Sequence, residues 1–325
     1  MKVTILGTGA YGLALASIAH KNKCTVTLWT PYKHEIENMI KTRENKLKLP
    51  GYIIPEDICI TNNIKMSIDN SDLIIIATPT EAIKDIAKKL KPIIKSNQLI
   101  CIASKGIEET TCKFAFDILE KALHTNNISI ISGGAFAIDI IKEVPIGLSV
   151  AIKDYSNKEI IEKVLKNSFI KLRFNNDIIG TEICGAVKNI VAIAAGIIEG
   201  LNLPESSKAM FITEALNDIK NLISLLDGNK NTIMSFAGFG DILLSCTCRK
   251  SRNYSFGVMI GQKLDKKSIN DYINSTTIEG LYTLKSIYKL LKNKNIKLPI
   301  IDLIYAIIYK NKSPEELLKF IIIKE

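Results

Sequence analysis

Histidine is nearly absent from this chain: His20, His34 and His124 are the only three. None lies in a segment that the sequence marks as a candidate catalytic site, so the residue most often used to move protons has no obvious place. There is no G-x-S-x-G elbow and no metal-ligating constellation, so hydrolase chemistry lacks its parts and no metal is expected. Cysteine occurs seven times, at positions 24, 59, 101, 112, 184, 246 and 248, with no Cys-x-x-Cys pair. Cys246-Thr247-Cys248 is too close-set and too isolated to hold a metal, and reduced thiols in a cytoplasm are the expected state. Arginine is scarce and aromatic residues make up 6% of the chain. No basic run is interleaved with stacking residues, so the net charge of +10 does not read as a nucleic-acid footprint. The lysines are spread along the whole chain, which remains compatible with an anionic small substrate. No apolar run is long enough for a bilayer, the longest being Ile190 to Ile198 between Lys188 and Glu199, so no membrane insertion is expected. Lys2 opens a strand without a charged leader and apolar core, and a signal peptide is not expected.

What is present is enough for two domains: 325 residues, 47% hydrophobic and 23% charged. Lys2 to Leu6 is a short apolar strand, followed at once by Gly7-Thr8-Gly9-Ala10-Tyr11-Gly12 and a helix over Leu13 to Lys21. Strand, G-x-G-x-x-G, helix is the context of a dinucleotide site. Gly7 permits the tight turn, Gly9 lets a pyrophosphate approach the backbone, and Gly12 lets helix and strand pack closely. The helix N-terminus offers free N–H groups and a favourable dipole to phosphates.

Thr25 to Thr30 is the second strand. Its end carries Pro31-Tyr32-Lys33-His34 and no acidic residue of the kind that holds an NAD ribose. Lys33 and His34 fit either a contact to a 2′-phosphate, which tilts the reading towards NADP, or a solvated loop. Glu35 to Arg43 reads as helix and Lys46 to Ile58 as loop. Asp72 to Ala77, Leu99 to Ala103, Ile128 to Ser132, Gly147 to Ile152 and Ile170 to Phe174 read as further strands. Their near-continuous apolar runs suit a parallel sheet covered on both faces. Lys105, next to Gly106 after a strand's C-terminal end, fits either a ligand crevice or a solvated turn. The turn beginning Gly133-Gly134-Ala135 can bind an oxygen through backbone N–H groups.

From Ile178 onward helical periods take over. Ile178 to Leu201 reads as one long apolar helix with a nearly solitary cation, Lys188, and Asn189 beside it. Gly185, Lys188 and Ala192 share a face with little bulk. Lys188 either snorkels to the surface from a core helix or sits buried as a group able to move protons near neutral pH. Glu205 to Leu226 is helical, Asp241 stands at an expected N-cap of Ile242 to Cys246, and Asn253 at an expected cap of Tyr254 to Leu264. Ser251-Arg252-Asn253 would then set a guanidinium at a helix N-terminus, which is anion-binding chemistry. An exposed cap with a solvated arginine fits the same residues. Later helices fit Thr277 to Asn293, Pro299 to Tyr309 and Pro314 to Ile322.

Several separated segments together resemble the bacterial-type NAD(P)-dependent glycerol-3-phosphate dehydrogenases. They are GTGAYGLALA at 7–16, ASKGIE at 103–108, SGGAFA at 132–137 and ICGAVKNIVAIAAG at 183–196. GFGDILLSC at 238–246, SRN at 251–253 and EG at 279–280 complete the set, in order and from end to end. The resemblance implies an α/β N-terminal domain, a doubly wound Rossmann-type parallel sheet at 1–178, and an all-α C-terminal domain at 179–325. The latter would be of the 6-phosphogluconate dehydrogenase C-terminal-like kind. It implies NAD or NADP as cofactor, a small phosphorylated substrate, a homodimer and a cytoplasmic place in phospholipid synthesis.

By the same resemblance Lys188 donates and accepts the proton, and Lys105 contacts substrate and cofactor. Gly133, Asp241, Ser251, Arg252 and Asn253 match substrate-binding positions. Ala10, Tyr11, Ala137, Arg252 and Glu279 match cofactor contacts. Some residues depart from the family pattern. Ala10 stands for a usual serine, and Pro31 for an arginine or similar polar residue that often marks NADPH use. Gly134-Ala135 stands for Pro-Ser or Pro-Thr, and Glu214 with Ala215 for Arg-Gly. The expected reaction is reversible hydride transfer between NAD(P)H and dihydroxyacetone phosphate, giving sn-glycerol 3-phosphate. Lys188 is the general acid and base, with Lys105 and Asp241 beside it in the catalytic set. Two other readings stay open: a related two-domain reductase of another small hydroxy or keto acid, and a cofactor-sensing homologue with a dead site.

Overall fold

In the computed structural model, which describes residues 1–323, the chain divides into two compact units. The first comprises Met1–Lys105 and Ala115–Ile178; the second comprises Gly106–Phe114 and the residues from Ile179 onward.

The first unit is built on an eight-stranded sheet. Its strands are β1 (Lys2–Leu6), β2 (Thr25–Trp29), β3 (Cys59–Thr61), β4 (Leu73–Ile76), β5 (Leu99–Ile102), β6 (Ile128–Ser132), β7 (Ile146–Ile152) and β8 (Ile170–Asn175). They lie in the order β3-β2-β1-β4-β5-β6-β7-β8. Every pairing is parallel except β6 with β7. The strand order reverses beside β1, and that is where a doubly wound sheet opens a crevice at its carboxyl edge. The unbroken apolar runs have a simple cause. In β4, Leu73 and Ile75 enter one core while Ile74 and Ile76 enter the other, and β5 divides in the same way. Both faces are covered, so alternation carries no polar residue, and each such side chain contributes about 1.5–3 kcal/mol of burial.

The second unit is helical and centred on Ile178–Gly200. This helix of 23 residues is long and apolar enough to cross a bilayer, contrary to what the shorter uninterrupted run predicts; 89% of its apolar window is buried inside the fold. It lies directly against Arg252–Gly261. Two glycine pairs, Gly196 with Gly200 and Gly257 with Gly261, let the backbones touch. A Cβ built on Gly196 would lie 2.1 Å from Tyr254 O, and one on Gly257 1.9 Å from Ile193 O. No larger residue fits that crossing without moving a helix.

The helix ends differ in places from the sequence expectation. Ser251, not Asn253, caps Arg252–Gly261: its side chain accepts from Tyr254 N, and Asn253 lies inside the first turn. Asp241 likewise lies within its helix, Asp241–Thr247, rather than at the N-cap. A π-helical turn, Phe236–Gly240, precedes it and occupies the cap. The polar helix Lys266–Ser275 and the three-residue β3 carry too few apolar residues to be seen in the sequence.

Candidate active site

The nucleotide half is built at the carboxyl end of β1. Gly7 has φ +124°, and a Cβ there would come within 2.5 Å of Ala77 O. A Cβ on Gly12 would lie 2.2 Å from Gly7 O, so the turn closes only with glycine at both places. Gly9 differs: a Cβ there would meet nothing within 4 Å. The surface over Gly9 is open, which is the fit expected for an approaching pyrophosphate. The helix Ala10–Lys21 begins at that point with no side-chain cap, leaving its first N–H groups to a ligand. Ala10 and Tyr11 form its first turn, and both pack on the core. Thr78 Oγ1 and Ser132 Oγ, just beyond β4 and at the end of β6, are buried with no protein partner among the described residues. These features fit a bound dinucleotide.

Lys105 joins the same edge. Its Nζ donates to Gly133 O at 3.2 Å and stands 5.8 Å from the centre of the Tyr11 ring. A Cβ on Gly133 would lie 2.6 Å from Gly147 O, so only glycine fits beneath that carbonyl. Ala137 opens the helix Ala137–Ile141, whose N-terminus has no side-chain cap. Lys105, Tyr11, Gly133 and the glycine turn are therefore brought together within the first unit. Lys105 is half-buried against the Gly133 carbonyl rather than fully solvated.

An acidic residue also stands here that the sequence did not signal. Glu35 lies beyond β2, and its Oε2 accepts from Thr8 Oγ1 at 2.8 Å and from Thr30 Oγ1 at 3.2 Å.

The second unit holds the amine. Lys188 Nζ donates to Asp241 Oδ1 at 2.5 Å and to Ser245 Oγ at 3.2 Å. The lysine side chain is 13% exposed and the aspartate 2%. Lys188 is thus neither a snorkelling surface lysine nor an amine surrounded only by apolar side chains. A carboxylate in contact favours the ammonium. Removing one member of such a pair costs about 3–5 kcal/mol, because the other charge is left buried. The π-helical turn before Asp241 is compact: a Cβ on Gly238 would lie 2.2 Å from Ile233 O. Ser245 follows Asp241 by four residues and so shares its face, a signal that sequence spacing held but did not single out. Burial pushes the Cys246 thiol up even with Lys188 near, which keeps it protonated beside the pair.

Ser251, Arg252 and Asn253 divide their roles. Asn253 is anchored in the fold: its Nδ2 donates to Asn189 Oδ1 at 2.9 Å, and its Oδ1 accepts from Gly280 N at 2.9 Å. Asn189 Nδ2 donates in turn to Glu279 Oε2 at 3.2 Å. A Cβ on Gly280 would lie 2.7 Å from Asn253 Oδ1, so this network explains why glycine follows Glu279. Arg252 is exposed at the first position of its helix. Upstream, Glu199 accepts from Tyr254 OH, from Lys208 Nζ at 2.9 Å and from Arg249 Nε at 3.0 Å. Burial alone would raise the Glu199 carboxyl, but the bonds from Tyr254, Lys208 and Arg249 outweigh it and hold it at about 2. Glu199 therefore ties both flanks of the Ser251-Arg252 turn to the central helix.

The chain is similar along its whole length to named enzymes. A glycerol-3-phosphate dehydrogenase [NAD(P)+] of Fusobacterium nucleatum is 35% identical, with 100% of this chain and 97% of that one covered. The enzyme of the same description from Ehrlichia chaffeensis is 37% identical over 96% of this chain and 97% of its own. The crystal structure of glycerol-3-phosphate dehydrogenase from Coxiella burnetii superposes with a TM-score of 0.92 at 29% identity, covering 99% of both chains. The family models for the N-terminus and the C-terminus of NAD-dependent glycerol-3-phosphate dehydrogenase match residues 2–158 and 177–319, and the chain belongs to that family.

Proposed function

We propose that the protein reduces dihydroxyacetone phosphate reversibly to sn-glycerol 3-phosphate with NAD(P)H. The observation that carries the reading is the Lys188–Asp241–Ser245 contact, in a chain whose other unit presents an open glycine turn to a dinucleotide. When bound, the nicotinamide supplies the hydride to the carbonyl carbon. As negative charge develops on the carbonyl oxygen, the Lys188 ammonium stabilises it and donates a proton to it. In the oxidation direction the Lys188 amine accepts that proton back from the hydroxyl.

Asp241 and Ser245 hold the amine in place, which is orientation set before substrate arrives. Asp241 is the counter-charge in contact with the amine. Arg252, with the N–H groups of the helix it opens and the Ser251 cap, holds the substrate phosphate. Binding energy far from the reacting carbon then fixes the carbonyl. Lys105 contributes a second cation near the nucleotide, and Gly133 a backbone contact to substrate. Asn253 acts on Arg252 through the buried amide network. Glu279 holds that network from the other side. We also infer a cytoplasmic homodimer feeding phospholipid synthesis; its seven cysteines are free thiols.

The test is oxidation of NADH or NADPH by the purified chain with dihydroxyacetone phosphate, with ketopantoate and a 3-oxo acid as competitors. Turnover confined to the phosphorylated ketone is the expected result. Turnover of another keto acid alone, or none with any, overturns the proposal.

A further inference from the structure

We propose that Glu35 reads the adenosine ribose and makes this enzyme prefer NAD over NADP. The inference rests on the dehydrogenase reading and adds the cofactor choice, which the family description leaves open. In a doubly wound fold the ribose lies beyond the end of the second strand, where an acidic side chain accepts from its 2′-hydroxyl. Along the sequence that place is filled by Thr30-Pro31-Tyr32. The fold supplies the missing carboxylate from one turn of helix further on.

Three observations place it there. Glu35 is bonded at once to Thr8, inside the glycine turn, and to Thr30, the residue that follows β2. These two positions are neighbours because Gly7 N donates to Trp29 O at 2.9 Å. Thr8 and Thr30 are themselves buried, at 4% and 2% exposure, so both donors are fixed in place. Both bonds fall on Oε2; among the described residues Oε1 accepts none. The carboxylate is therefore oriented through one oxygen, with the other left as an acceptor. A ribose 2′-hydroxyl supplies the donor that such an oxygen lacks. A 2′-phosphate supplies no donor at neutral pH and brings like charge against it.

The cations nearby do not offset this. Pro31 offers none at the strand's end, and Lys33 and His34 are exposed, with the His34 ring leaning on Tyr32 at 5.9 Å between centroids. A merely structural Glu35 would pin the helix Lys33–Thr42 to the glycine turn, and glutamine would serve that purpose equally well.

The experiment measures dissociation constants of NADH and NADPH by nicotinamide fluorescence, without substrate, for the wild-type chain, Glu35→Gln and Glu35→Ala. The wild type is expected to bind NADH at least about tenfold more tightly than NADPH. Glu35→Gln should bring the ratio close to one, chiefly by tightening NADPH, with unchanged thermal unfolding. A wild type that favours NADPH, or a ratio that Glu35→Gln leaves unmoved, overturns the assignment. Loss of NADPH affinity on Lys33→Ala together with an unmoved ratio in Glu35→Gln overturns it too. If the ratio responds to Glu35 but dihydroxyacetone phosphate is not reduced, the substrate reading fails and the ribose assignment stands. If the ketone is reduced and the ratio is unmoved, the reverse holds.

Discussion

Replacing Glu199 by glutamine keeps the shape of the side chain and removes the charge on which Tyr254, Lys208 and Arg249 converge. Moving a carboxyl from 4.5 to about 2 corresponds to about 3 kcal/mol at 1.36 per decade. The side chain is 28% exposed, and solvent screening reduces the contribution to about 1–2 kcal/mol. Its sign with pH follows from the direction of the shift. The folded-state value lies below the unfolded one, so the stabilisation is complete above about 4.5 and is lost as pH falls toward 2. Urea unfolding followed by helical circular dichroism should show the variant less stable by that amount at pH 7 and at pH 5.5. The gap should narrow at pH 4 and again at pH 3. Because Arg249 and Tyr254 flank the Ser251-Arg252 turn, KM for the phosphorylated substrate should rise by more than kcat falls. Equal stability at pH 7, or a gap that widens on acidification, would refute the reasoning.

Other expectations follow from the same packing. Gly257→Ala drives a methyl to 1.9 Å from Ile193 O; the helices must part, and a loss of about 1–3 kcal/mol or more is expected in thermal or urea unfolding. Gly9→Ala is the opposite case: φ is −68° and a Cβ meets nothing within 4 Å. Its unfolding should match wild type while NADH binding, read by fluorescence, weakens at least about tenfold because the methyl stands where the pyrophosphate lies. Arg252→Ala should raise KM for dihydroxyacetone phosphate by about tenfold or more in steady-state kinetics, as loss of a charge-assisted bond of about 1.5–3 kcal/mol requires. NADH affinity should change less than KM.

Much of this was legible in the residues. The glycine turn declared itself because its spacing sits between an apolar strand and a helix, and the central strands because both their faces are buried. Lys188 was visible as one cation in an apolar helix. What could not be read was pairing across distance. Nothing local to Lys188 signals Asp241; the family resemblance alone set the two together, and Asp241 reaches the amine from 53 residues away after a π-helical turn. The same holds for Glu35, whose meaning depends on Thr8 and Thr30 closing on it. Asn253 was expected as the cap of its helix; the fold gives the cap to Ser251 and holds the amide between Asn189 and Gly280. Gly196, Gly200, Gly257 and Gly261 are ordinary glycines in the sequence and become necessary only when two helices touch.

Proton transfer by one held amine is the claim on which the rest depends. Its most direct test is single-turnover reduction of dihydroxyacetone phosphate by NADH with Lys188→Ala, alongside NADH binding by fluorescence. The rate should fall by about 10²–10⁴-fold while NADH affinity stays within a factor of about two. A rate near that of the wild type would contradict it.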